Sequence, residues 1–373
     1  MRPPTRRART LALSAALLAV VLSGCGLLPV PAPVPDHPLR PLPGAPLSAP
    51  VDTMLAQPAW LPDGWIYYLS DPDDMERVGH LHRTRYWRSR PGAEPQQLTL
   101  PDLAGCRLTR YDQFDRLPDG RLGAQRQCLT EDVHDDWYDQ VAIDPETMRV
   151  DKLARTGRWP LNSITWAPSL DHGYAAYYDE FCPGLLRVIP AGTARFPDPV
   201  DFDGVAWPIS ETYFDESEAA CKRNGSTRQP QLLADGVTLL LLASPGAAGR
   251  QGSARENQRW FLYRWQPGAG APVRVAGPFG RGLDPVVSYA ATPDGRYAVV
   301  CDSNGVADRF LRVDLHSGET VLLAEGHGNQ MSVSPDGRQV VVAAYPYLGS
   351  AREPVLASIY RMELRLIDLG LAS

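Results

Sequence analysis

Ser334-Pro335-Asp336-Gly337-Arg338-Gln339-Val340-Val341-Val342, SPDGRQVVV, is a tight turn running into an apolar strand. Proline presets φ for the second turn position. Aspartate bonds back to the local backbone, and glycine accepts the left-handed conformation that closes a hairpin. The same letters recur as Leu61-Pro62-Asp63-Gly64, Leu117-Pro118-Asp119-Gly120 and Thr292-Pro293-Asp294-Gly295. Weaker copies stand at Pro168-Ser169-Leu170-Asp171-His172-Gly173 and Leu233-Ala234-Asp235-Gly236. The aspartates are 56, 52, 64, 59 and 42 residues apart, which makes six units.

Each turn is followed by a β-rich run: Trp65 to Leu69, Leu122 to Cys128, Tyr174 to Tyr178, Val237 to Leu242, Tyr297 to Cys301 and Val340 to Ala344. The units continue alike. In the fifth, Arg309 to Leu315 alternates apolar with polar, His316-Ser317-Gly318-Glu319 turns, and Thr320 to Leu323 ends the unit. In the second, Trp137 to Ile143, the turn Asp144-Pro145-Glu146-Thr147 and Met148 to Leu153 do the same. Four short antiparallel strands per unit of this length mark a propeller blade.

These repeats resemble the TolB-type, WD40-like β-propeller repeat, whose marker is the S-P-D-G turn before a buried strand. The resemblance covers most of residues 51–373 and is weakest in units three and four. It implies an all-β, six-bladed propeller of four-stranded antiparallel blades, closed by an N-terminal strand. The last unit ends after its third strand, Ile359 to Leu369, and Val51 to Gln57 is the segment expected to supply the fourth. The resemblance also implies work through protein contacts rather than catalysis. The chain has no room for the extra N-terminal domain of TolB, so a role in the Tol system does not carry over.

Upstream of the repeats, residues 1–24 have the layout of an export signal. Arg2, Arg6, Arg7 and Arg9 precede an apolar run from Leu11 to Leu22, too short to span a bilayer. Leu22-Ser23-Gly24-Cys25 resembles a bacterial lipobox, which implies a diacylglycerol on Cys25 and stable anchoring to a membrane. Residues 25–50 follow as a lipidated cysteine and proline-rich linker, and 51–373 as the propeller. The expected location is the extracytoplasmic side of a cell membrane or outer membrane.

Signal removal takes four arginines away and moves the formal charge from -6 to -10. Nucleic-acid binding needs a basic surface, so that partner is excluded. A monomer is expected. Cys106 and Cys128 sit at the ends of paired strands around one turn. Cys182 and Cys221 lie on one face between the third and fourth units. The expected disulfides are therefore Cys106–Cys128 and Cys182–Cys221, leaving Cys301 a free buried thiol.

The loops opposite the P-D-G turns are longer and acidic, and they are the expected binding face. Candidate residues there are Asp73, Asp74, Asp132, His134, Asp135, Asp136 and Asp179, with Trp207, Tyr213 and Phe214 in the long insertion at 197–228. Neighbouring carboxylates at Asp302 and Asp308 belong to the same face. Calcium suits such carboxylates, but a solvated loop has the same composition, so no metal and no cofactor beyond the lipid is assigned.

No catalytic residues are assigned either: a G-x-S-x-G elbow is absent, and no hydrolase domain follows the sixth unit. Two readings remain. One is an envelope binding module docking a protein, peptide or glycan. The other is a propeller hydrolase or lyase with carboxylates or a metal at the channel mouth.

Overall fold

The computed structural model describes residues 42–47, 53–72, 77–78, 81–82, 84–130, 136–157, 161–178, 183–192, 226–244, 259–266, 272–280, 287–303, 308–344 and 363–371. They form a six-bladed, all-β propeller. Blade one is Thr53–Trp60, Ile66–Pro72, Arg85–Ser89 and Gln96–Leu98. Blade two is Leu108–Arg116, Leu122–Leu129, Trp137–Ile143 and Val150–Gly157. Blade three has three strands among the described residues, Leu161–Trp166, His172–Tyr178 and Pro183–Pro190.

Blade four is Ser226–Leu232, Leu239–Ser244, Trp260–Trp265 and Val273–Phe279. Blade five is Val287–Ala291, Tyr297–Ser303, Asp308–Asp314 and Thr320–Gly326. Blade six is Gly328–Val333, Gln339–Ala344 and Glu363–Asp368, completed by Ala45–Pro46 from the other end of the chain.

The first strand of each blade is innermost, and the P-D-G turns all lie at one end of the wheel. At Ser334 the turn closes through Gly337 N–H donating to the Ser334 carbonyl at 2.9 Å, with Gly337 at φ +71°. Ser334 Oγ donates to Asp336 Oδ1 at 2.6 Å, and Asp336 accepts Arg338 N–H at 3.1 Å. Those bonds, the Ser334 hydroxyl first, hold the Asp336 carboxyl below its usual range. In blade three Leu170, at φ +57°, occupies the glycine position and donates its N–H to Ala167. The marker Asp171 therefore lies just after the turn, and Ser169 fills the aspartate slot.

Closure differs from the sequence expectation in which segment supplies it. Thr53–Trp60 pairs with Ile66–Pro72 and is the inner strand of blade one. The closing strand is Ala45–Pro46, paired with Arg365 and Leu366 inside the stretch read as linker. Leu47 extends it by donating its N–H to the Leu364 carbonyl at 2.9 Å. Two leucines pin this short strap. Leu42 is buried among Phe310, Ala324, Ile367 and Leu369, and Leu47 among Trp60, Ile66 and Leu364. Gly44, at φ +121°, lies where a Cβ would meet the Leu366 carbonyl oxygen, so only glycine passes there.

Most of the strand tryptophans pack into the core. Trp60, Trp166, Trp260 and Trp265 are buried, and Trp65 lies between Arg88 and Arg90, each 4.7 Å from its ring. Cys106 and Cys128 are bonded, with Cα atoms 5.3 Å apart. Cys301 is a buried free thiol whose pKa burial pushes well up. Cys25, Cys182 and Cys221 lie outside the described residues.

Candidate functional site at the channel mouth

In blades one, two, four and six the inner strand approaches its turn through an irregularity. The pairing slips between Ala56 and Ala59, Asp112 and Asp115, Arg228 and Gln231, and Gly328 and Met331. A bulge of this kind re-aims side chains. Gln57, Gln113 and Gln229 occupy it with left-handed backbone at φ +53°, +53° and +48°. Gln330 holds the same position in blade six, four residues ahead of the turn.

These glutamines join blade to blade. Gln330 Oε1 accepts Gln57 N–H at 2.5 Å, Gln57 Oε1 accepts Gln113 N–H, and Gln229 Oε1 accepts Tyr289 N–H at 3.2 Å. A second tier lies two residues nearer the turn. Ser332 Oγ accepts Trp60 N–H at 3.0 Å, Thr165 Oγ1 accepts Leu232 N–H at 3.1 Å, and Gln231 Oε1 accepts Ala291 N–H at 2.9 Å. Every one of these bonds runs from a side chain to the backbone of the next blade. Because the donor is a backbone N–H, each glutamine must present its oxygen to it, which fixes the amide's orientation.

The slot is held by Ala59 in blade one and Ala290 in blade five, which have no polar side chain to offer, and blade two places a carboxylate there. This is Asp115, whose Oδ1 accepts the N–H of its own neighbour Arg116 at 2.7 Å. Among the described residues it makes no bond to blade three. The carboxylate is exposed to the channel. Burial pushes its pKa up to about 6, opposed by the Arg116 N–H and guanidinium. Across the channel Tyr289 is buried, its hydroxyl bonded to the carbonyls of Gln229 and Leu240, and burial holds its pKa well above the usual phenol value.

Together the six inner strands and their turns enclose a cavity of about 730 Å³ at the P-D-G end. Pro62, Pro118, Pro168, Pro293 and Pro335 ring it, and Phe114, Ile164 and Met331 add apolar wall. Asp115 and Arg116 are the charged residues among those lining it.

On the opposite rim, the acidic side chains among the described residues take part in the scaffold. Asp136 closes the loop after the second strand of blade two by accepting Thr130 N–H at 2.8 Å. Asp302 accepts Gly280 N–H at 2.6 Å and pairs with Arg309, and Asp308 accepts Gly328 N–H at 2.9 Å. These carboxylates tie loops and blades instead of standing free. Asp73, Asp74, Asp132, His134, Asp135, Asp179, Trp207, Tyr213 and Phe214 lie outside the described residues. The glutamine ring was missed in the sequence, though glutamine recurs four residues ahead of four of the six turns.

No protein-family model matches the sequence, and no curated protein matches it. Solved structures do match. The chain is similar to the α-L-arabinofuranosidase Arb93A from Fusarium graminearum, with TM-score 0.55 and 10% identity, covering 89% of this chain and 99% of that one. It is similar to the Penicillium chrysogenum α-L-arabinanase complexed with arabinobiose, with TM-score 0.53 and 16% identity over 89% and 99%. TolB from Acinetobacter baumannii matches with TM-score 0.46 and 13% identity over 81% of this chain, which spans 63% of the TolB chain. Identities this low speak to fold alone.

Proposed function

We propose that this protein is a binding module of the cell envelope, anchored by a lipid on Cys25 and holding an envelope peptide or protein segment in the P-D-G end of its channel. The cavity there carries the reading, because all six blades line it and its polar groups already have fixed orientations. A preformed concave site with apolar walls and a few convergent polar groups is what ligand binding uses. The reading moves the docking site from the acidic rim to the opposite end of the wheel, since Asp136, Asp302 and Asp308 are engaged in the scaffold.

Glycoside hydrolysis by the usual route takes two carboxyl groups across the scissile bond, and the described cavity wall offers one, Asp115. That favours a binder over a propeller hydrolase. The protein acts as a monomer on the extracytoplasmic side of its membrane, with no cofactor beyond the lipid.

Site-specific photocrosslinking in cells tests this. A photoreactive residue at Met331, in the channel wall, should capture a discrete envelope partner, whereas the same residue at Thr130 on the rim should not. Capture from the rim alone would overturn the assignment of the site. A Cys25→Ser chain should leave the membrane fraction for the soluble one.

A further inference from the structure

We propose that the cleft between blades four and five is a second docking site, which takes an aromatic side chain, tryptophan above all, from a partner polypeptide and stacks it on Arg264. No residue lines both this cleft and the channel cavity, so the proposal stands apart from the channel reading.

The repeat supplies the argument. Three blades carry an arginine at one register of the third strand: Arg88 opposite Tyr67, Arg264 opposite Leu240 and Arg312 opposite Val299. Each reaches the next blade, where its Nη1 donates to the carbonyl of Pro145 at 3.3 Å, of Leu315 at 3.4 Å and of Gly370 at 3.1 Å, respectively. Blades two, three and six have Ala142, Val188 and Leu366 at that register, so no guanidinium stands there.

Two of the three arginines are roofed by the chain itself. The residue whose carbonyl closes the turn lies two places ahead of the opposite residue, and it is Trp65 in blade one, Tyr297 in blade five and Thr238 in blade four. The Trp65 ring is 4.7 Å from Arg88 and the Tyr297 ring 5.3 Å from Arg312. Thr238 has no ring, and its hydroxyl donates to Asp235 Oδ2 at 2.5 Å. A cleft of about 420 Å³ opens over Arg264 instead.

A guanidinium face attracts an aromatic ring, and indole most strongly. Arg264 makes no ion pair among the described residues, and the nearby Asp235 carboxylate already accepts the N–H groups of Val237 and Thr238. The walls suit such a guest. Val273, Val275 and Leu315 supply apolar surface, and the exposed Gln266 and Ser317 can meet an indole N–H or a peptide group. Val237, Val273, Val321 and Leu322, the exposed large hydrophobics among the described residues, all stand on these two blades. Apolar surface reaching beyond the cleft favours a polypeptide over a free aromatic molecule.

The full-length protein, immobilised, is offered pools of N-acetylated, C-amidated pentapeptides with tryptophan, cyclohexylalanine or glutamate fixed at the centre. The tryptophan pool should be retained at least about threefold over the cyclohexylalanine pool, whose ring has bulk but no π face. Thr238→Tyr installs the roof of blade five, and it should abolish that preference while melting no lower than the parent chain. Arg264→Met keeps an apolar stem and should also abolish it, whereas Thr238→Val leaves the cleft open and should keep it. Preference surviving in either Thr238→Tyr or Arg264→Met would overturn the proposal, and Arg264→Met decides the case if Thr238→Tyr fails to fold. Equal retention of the tryptophan and cyclohexylalanine pools would overturn the stacked ring. Strongest retention of the glutamate pool would make the cleft an anion site and overturn it too. Retention of no pool would overturn it whatever crosslinking from Met331 shows of the channel. Full displacement of the tryptophan pool by an equal concentration of N-acetyltryptophanamide would assign the cleft to small aromatic molecules and overturn the polypeptide.

Discussion

Blade six and blade two are cut from one repeat and stabilised by different chemistry. Blade six has an aliphatic interior, with Val340, Val341, Val342, Ala343 and Ala344 all fully buried, and its outer strand is a strap of two residues from the far end of the chain. Blade two carries buried charge. Asp139 is fully buried and pairs with Arg126 at 2.7 Å and Arg155 at 3.2 Å, and Arg155 stacks on Trp137 at 4.0 Å. Gln140 donates to Gln125 and Gln125 to Asp112 on its other face, and the Cys106–Cys128 bond locks its edge. The seam is thus held by shape and dispersion, which depend on a few side chains staying in place. Blade two is held by directed bonds that punish loss of either partner.

The comparison is most severely tested at the seam. Deleting residues 42–47 removes the outer strand of blade six together with two buried leucines. It should cost more than 10 °C of melting temperature, read by circular dichroism, as roughly expected from several kcal/mol lost. A deletion that melts like the parent would show that the strap is decoration. Leu42→Ala alone should cost about 2–4 kcal/mol, because it leaves a cavity against Phe310 and Ile367.

Blade two comes next. Asp139→Ala leaves the guanidiniums of Arg126 and Arg155 without their shared carboxylate, at a cost of about 3–5 kcal/mol in denaturant unfolding. A loss below about 1 kcal/mol would mean that the pair is already solvated. Reducing Cys106–Cys128, which spans 22 residues, should cost roughly 3 kcal/mol through the freed unfolded chain. If reduction leaves the midpoint unmoved, the edge of blade two is held by its ladder alone.

The smallest effect has the opposite sign. Asp115 is raised to about 6 in the fold, above an unfolded aspartate near ~4. Below about pH 4 both states are protonated and the group costs nothing. Between about 4 and 6 the unfolded chain ionises first, so the fold loses stability as pH rises, and above 6 the penalty is constant. Channel water screens the group, so the penalty is on the order of 1 kcal/mol. Asp115→Asn should therefore melt about 2 °C higher at pH 7.5 and alike at pH 4. A lower melting point at pH 7.5 would show that the carboxylate supports the scaffold.

Much of the wheel was legible because a P-D-G turn is a local device. Asp336 and Gly337 act on residues within a few positions of themselves, so contiguous letters reveal them, and six copies count the blades. The third turn was misplaced by two residues because Leu170 adopts the left-handed conformation that glycine marks elsewhere. The Cys106–Cys128 pairing was readable for a similar reason: two strands joined by one hairpin bring their far ends together.

The sequence alone thus determined the blade count, the strand order and the turn end of the wheel, because each follows from short-range backbone chemistry repeated in the chain. Which segment closes the wheel was decided by the tertiary structure. Ala45–Pro46 has no strand pattern of its own and is recruited by the open edge of blade six and by pockets for Leu42 and Leu47. The same holds for Asp115. Its letters resemble any acidic strand end, and only the ring of inner strands turns it into a charge inside a cavity, where neighbours far apart in the chain set its environment.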